Sequence, residues 1–84
     1  MKYRSFPSHH FATGQHAKAA RVMAGLDQSA LASLAGLHVN SLKRVEGMGE
    51  VRGSEHACQR IADALRVKGI ATGVSPHAFI QVIR

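Results

Sequence analysis

Apolar residues recur at spacings of three and four along residues 28–46, QSALASLAGLHVNSLKRVE. Leu31 and Ala35 share one helical face, as do Leu42 and Val45, so the pattern predicts two short helices, each with one buried stripe. Ala35-Gly36-Leu37-His38 lies between the stripes. Gly36 tolerates the positive φ that turns a chain within about three residues, and Leu37 is then expected to drop into the core. Ala32 is small where a steep crossing would bring the two axes closest. The same periodicity predicts a helix over 14–24 that buries Ala17, Ala20 and either Met23 or Ala24, with Thr13 as N-cap and Gly25 as its stop. Asp27 caps the second helix with a carboxylate, which its N-terminal dipole favours. Ser54 is the expected cap of a fourth helix, over 55–67, burying Ala57, Cys58, Ile61, Ala62 and Leu65.

Past Gly69 the composition turns strand-like. Residues 70–72 and 78–83 are rich in β-branched and aromatic types, with 73–77 as the turn between them. In the second strand Phe79, Gln81 and Ile83 point one way and Ala78, Ile80 and Val82 the other, so both faces are largely apolar. A two-stranded hairpin with such an edge is marginal alone. Pairing is therefore expected, either with residues 3–6 or with the same strand of a second subunit, through Phe79, Ile80, Val82 and Ile83. Residues 1–13 hold Pro7 and no helical period, and read as a loose solvated arm with a short extended piece around 3–6. Lys2 and Arg4 in that arm are available to a phosphate backbone or a minor groove. The predicted organisation is an arm at 1–13, a helical domain at 14–68 and a β extension at 69–84. The fold class is mainly α: a small four-helix domain with a short C-terminal β-strand or hairpin.

Charge narrows the class of partner. In 84 residues, 11 Lys and Arg stand against 5 Asp and Glu, a net charge of +6, and no acid precedes Asp27. That balance favours an anionic partner over the alternative, a basic domain with no polyanion target. The single cysteine excludes an internal disulfide and suits a reducing compartment. No apolar run reaches the length of a membrane span or signal peptide, so a cytoplasmic protein is expected. At this size one core is marginal, and pairing with a second copy often supplies the missing burial.

Little in the chain suits catalysis. Cys58 lies on the apolar face of its helix with no His-acid pair at fixed spacing to activate it, and paired carboxylates are lacking, so no enzyme and no cofactor are expected. His9, His10 and His16 have no Cys or carboxylate beside them, and no metal is expected. The glycine-rich stretch 46–53 fits neither common nucleotide-binding pattern.

The helix over 39–46 is left with a polar outer face of Val39, Asn40, Lys43 and Arg44, the arrangement of a helix-turn-helix whose second helix lies in the DNA major groove. Asn40 can make two hydrogen bonds to an adenine edge, Arg44 two to guanine, and Val39 can touch a thymine methyl. Lys43 suits a phosphate, Ser41 a phosphate or a base, and Arg52 adds charge to a loop whose amides can approach a phosphate. His38 stands at the N-cap. As a phosphate donor it would act more strongly when protonated, so affinity is expected to rise as pH falls.

Over residues 14–65, about three-fifths of the chain, the sequence resembles the Cro/repressor-type (XRE), lambda-repressor-like helix-turn-helix family. The match is carried by Ala20-Arg21, Gly25-Leu26-Asp27-Gln28, Leu31-Ala32, Ala35-Gly36-Leu37, Leu42, Glu46-Gly47 and Ile61-Ala62-Asp63-Ala64-Leu65. The resemblance implies a structural ion pair between Arg21 and Glu46, and contact of Gln28 with a DNA phosphate and the edge of the recognition helix. His38 departs from the Ser or Thr usual at its position. The implied function is a sequence-specific transcriptional regulator, a repressor binding a partly palindromic double-stranded DNA operator as a homodimer. A two-fold pair would set two recognition helices about 34 Å apart. The alternative is a protein-interaction module, an antitoxin or anti-activator, with 78–84 as its adhesive strand and a protein as partner.

Overall fold

The computed structural model describes residues 6–83. It is mainly helical: α1 (Gly14–Met23), α2 (Gln28–Ala35), α3 (Val39–Glu46) and α4 (Glu55–Val67) are followed by a hairpin of β1 (Ile70–Gly73) and β2 (Phe79–Val82). Among the described residues no helix is long and apolar enough to cross a membrane.

Local chemistry sets the helix ends. Thr13 Oγ1 accepts from His16 N at 3.1 Å and Asp27 Oδ1 from Ala30 N at 2.7 Å, each satisfying a donor of the first turn. α1 and α2 end alike. Gly25 and Gly36 take φ of 75° and 70°. The next residue, Leu26 or Leu37, then donates back to Arg21 O or Ala32 O, while each glycine donates to Val22 O or Ser33 O. Those paired bonds form a Schellman motif, and both leucines fold against the core beside it. Ser54 differs from expectation. Its side chain makes no cap bond, and only its carbonyl, accepting from Cys58 N, starts α4.

The core lies where α2 crosses α3 and α4, with α1 packed on α3 and β1 on α4. Leu31, Leu42, Val45, Ile61 and Leu65 are fully buried, as the periodicity requires. Met23 points outward, and Ala24 takes the inner position.

One expectation fails. Residues 6–13 are not a loose arm: they are tied to the glycine-rich loop and bury Ser8 and Phe11. Phe11 is fully buried, with the His16 ring in a T-shaped arrangement against it at a centroid separation of 5.7 Å. The buried Ser8 hydroxyl accepts from the amides of His10 and Phe11, closing a tight turn. Backbone bonds join this segment to the glycine-rich loop: Ser8 N to Val51 O, Val51 N to Ala12 O and Gly14 N to Met48 O. Pro7 pairs with Arg52 in an isolated antiparallel bridge. Lys2, Arg4 and most of the expected extended piece lie outside the described residues.

His16 joins three parts of the molecule. Its Nδ1 accepts from Ala12 N at 3.0 Å, and its Nε2 lies 2.8 Å from Phe79 O. An amide can only donate and a carbonyl only accept, so the ring is neutral with its proton on Nε2.

In the hairpin Ile70 faces Val82 and Gly73 faces Phe79, whose ring lies over the bare glycine. Ile83 N donates to Gly69 O, which makes Ala71 and Gln81 the next hydrogen-bonded pair. Ile80 and Val82 therefore turn their backbone groups to the open edge. Among the described residues β2 pairs only with β1.

Truncating Phe11 leaves a cavity in this small core. Phe11→Ala is expected to lower unfolding free energy by about 3–5 kcal/mol in urea denaturation. A solvated arm would give no measurable change.

Candidate nucleic-acid interface

Helical phase fixes what α3 shows to solvent. Leu42 and Val45 face the core, so Asn40, Lys43 and Arg44 are exposed on the other side. Val39 and Ser41 sit at the flanks of that exposed face and are half-buried. Val39 packs in part against the core and leaves the rest of its side chain exposed.

His38 caps α3 through its ring. Nδ1 accepts from Asn40 N at 3.0 Å, doing the work of the serine or threonine oxygen usual at such a position. The neutral ring then carries its proton on Nε2, free to donate outward.

Beneath α3 lies the pair that the family resemblance implies. Arg21 Nε donates to Glu46 Oε2 at 2.8 Å and Arg21 Nη2 to Glu46 Oε1 at 3.2 Å, a bidentate fork, while Nη1 donates to Leu26 O at 3.0 Å. Gln28 Nε2 adds a fourth bond, to Glu46 Oε1 at 3.0 Å. The side chains of Arg21 and Glu46 are only 11% and 5% exposed. Gln28 thus lies at the edge of α3, with one amide proton committed to Glu46.

A polar cleft opens over this pair. Gln15 and Lys18 of α1 form one wall, Lys43 and Gly47 the other, and Arg21, Gln28 and Glu46 also line it. Gln15 and Lys18 were not singled out from the sequence. They sit three residues apart on the exposed side of α1, but only the packing of α1 on α3 reveals what they face.

Arg52 is placed apart from this group. Its Nε donates to Glu50 Oε1 at 2.8 Å, so the loop carries its own counter-ion. Of the four expected dimer contacts, Phe79 and Val82 are 40% and 57% exposed, whereas Ile80 packs on the core and Ile83 is half-buried. His10 Nε2 lies 3.3 Å from Glu55 Oε2, and both ring nitrogens of His16 are already bonded within the protein. Cys58 is fully buried. Burial pushes its thiol pKa up and the charge on Glu55 adds to that, while a hydrogen bond with Ser8 pulls the other way.

No family model, curated protein or solved structure matches the chain.

Removing one partner of the Arg21–Glu46 pair strands a charge out of water. Glu46→Ala should cost on the order of 3–5 kcal/mol in urea denaturation, with the Arg21→Ala/Glu46→Ala double variant costing less than the sum of the single changes. Replacing the cap is milder. His38→Ala should cost about 1 kcal/mol and His38→Ser much less, since serine restores an acceptor for Asn40 N.

Proposed function

We propose that this chain is a sequence-specific DNA-binding transcriptional regulator, a repressor that grips a partly palindromic operator as a homodimer. The observation that carries the reading is α3 itself: eight residues turned by Gly36 against α2, with Asn40, Lys43 and Arg44 exposed together and no acid beside them except the paired Glu46. Such a helix fits a major groove of about 12 Å width. The net charge of +6 supplies the sequence-independent attraction that DNA binding needs. The resemblance of residues 14–65 to Cro/repressor-type proteins supports the same reading.

Asn40 and Arg44 read base edges, with a partial contribution from Val39. Lys43, Ser41, Gln28 and the outward Nε2 of His38 hold phosphates. We assign the dimer seam to the open edge of β2, where Phe79 and Val82 are exposed beside unpaired backbone groups.

That same edge favours a second reading, a module that binds another protein by adding a strand to β2. The two readings separate on variants. In the first, Asn40→Ala and Arg44→Ala each cost about 1–3 kcal/mol of discrimination and leave the fold intact. In the second they change little, and loss of residues 78–84 abolishes partner capture.

Fluorescence anisotropy with DNA from the gene's upstream region and a scrambled duplex tests the proposal. Binding at least ~10³-fold tighter to the native duplex at physiological salt is the expected result. Equal binding with a steep salt dependence would reduce the activity to charge alone.

A further inference from the structure

Arg60 of α4 reaches back to the turn between α2 and α3. Its Nε donates to Ala35 O at 2.8 Å, one of the carbonyls left over at the end of α2. Gly36 and Leu37 already donate to Ser33 O and Ala32 O, so the guanidinium adds a third bond at the same helix end, where the dipole favours a cation. Its Nη2 lies across Gly36, 2.6 Å from where a Cβ would stand. A glycine is required there for two reasons, its φ of 70° and the space that the guanidinium fills.

Helical spacing suggests a different partner for this arginine. Asp63 stands three residues further along α4 and lines the same groove between α2 and α4. Yet no ion pair joins the two among the described residues, and Arg60 turns to the carbonyl instead. Its own helix is well anchored, since Cys58, Ile61 and Leu65 are fully buried. A planar group on an anchored helix thus reaches the hinge from which α3 departs.

We propose that Arg60 is a positioning residue, a strut from α4 that sets the angle at which α3 leaves α2 and so aims Asn40 and Arg44. The inference rests on the DNA-binding reading, and the role is aim rather than contact. Base contacts need placement to within about 0.5 Å, whereas flexible side chains on phosphates follow a small displacement. Loss of the strut therefore erodes discrimination before it erodes sequence-independent affinity.

Arg60→Met keeps the apolar stem and removes the planar donor. The lost charge weakens native and scrambled duplexes alike, so their ratio isolates the aim of α3. With the variant fully folded, that ratio should fall at least about fivefold, in the range of one good base contact. Ile61→Val, a core change on the same helix that leaves the strut in place, should keep the wild-type ratio. Hydrogen exchange reports on the hinge without DNA. In Arg60→Met the Leu37 amide, bonded to Ala32 O, should lose at least about tenfold more protection than the Leu65 amide, while in Ile61→Val the two fall alike.

Faster Leu37 exchange with an unchanged ratio overturns the assignment of aim and leaves a helix cap. Unchanged Leu37 exchange overturns the strut itself, whatever the ratio. If the wild-type protein prefers neither duplex, the DNA reading falls, and selective loss of Leu37 protection alone decides whether Arg60 holds the hinge. Should the methionine variant not fold, Arg60→Lys takes its place. The same pair of results is expected of it, because an ammonium has no plane to lay across Gly36.

Discussion

The fold turns on how Glu46 is held. Helices of 8 to 10 residues are too short to persist alone in water, so α1, α2 and α3 depend on being fixed to one another. A single guanidinium reaches from α1 to both carboxylate oxygens at the end of α3 and to the Leu26 carbonyl in the link to α2. Its net stabilisation is small once desolvation is counted, but its geometry is demanding, and it fixes relative orientation where apolar packing tolerates sliding. The backbone grips the same residue. Gly14 opens α1 directly against the Glu46 carbonyl and Met48, with no room for a Cβ. The side chain of Glu46 and the backbone carbonyl of Met48, which accepts from Gly14 N, therefore hold α1 across the end of α3.

Elements with a strong period were legible in the sequence. The stripes of Leu31, Ala35, Leu42 and Val45, and the glycines at 25 and 36, fix α2, α3 and their turn with little help from the rest of the chain. Residues 6–13 were not legible. Their one large core residue, Phe11, stands alone between histidines and after a proline, and a single residue has no period. What holds the segment is backbone hydrogen bonding to residues 48–53, which carries almost no side-chain signature. The same bonds explain the glycine-rich loop, where Val51 is buried and the chain is engaged inward by its neighbour.

The site divides along the same line. Asn40, Lys43 and Arg44 follow from helical phase, but Val39, at the first helical position, lies on the flank and turns partly inward. The acceptor role of the His38 ring was open to deduction, since a histidine at an N-cap offers the atom an amide needs. Lys18 gave no signal of its own. A lysine on an exposed helical face acquires meaning only from what packs beside it, and that information resides in tertiary contacts between α1 and α3 rather than in either helix.

Cys58 has a practical consequence. Thiolates react with alkylating reagents and thiols do not, and the only sulfhydryl in the chain is fully buried, with desolvation disfavouring its ionised form. It can be labelled only when α4 lifts away from the segment carrying Ser8. Where closing outpaces the reagent, the ratio of observed to intrinsic alkylation rate becomes a direct gauge of that opening equilibrium. The chain thus carries its own clock for local unfolding, at a place where residues 6–13 meet the helical core.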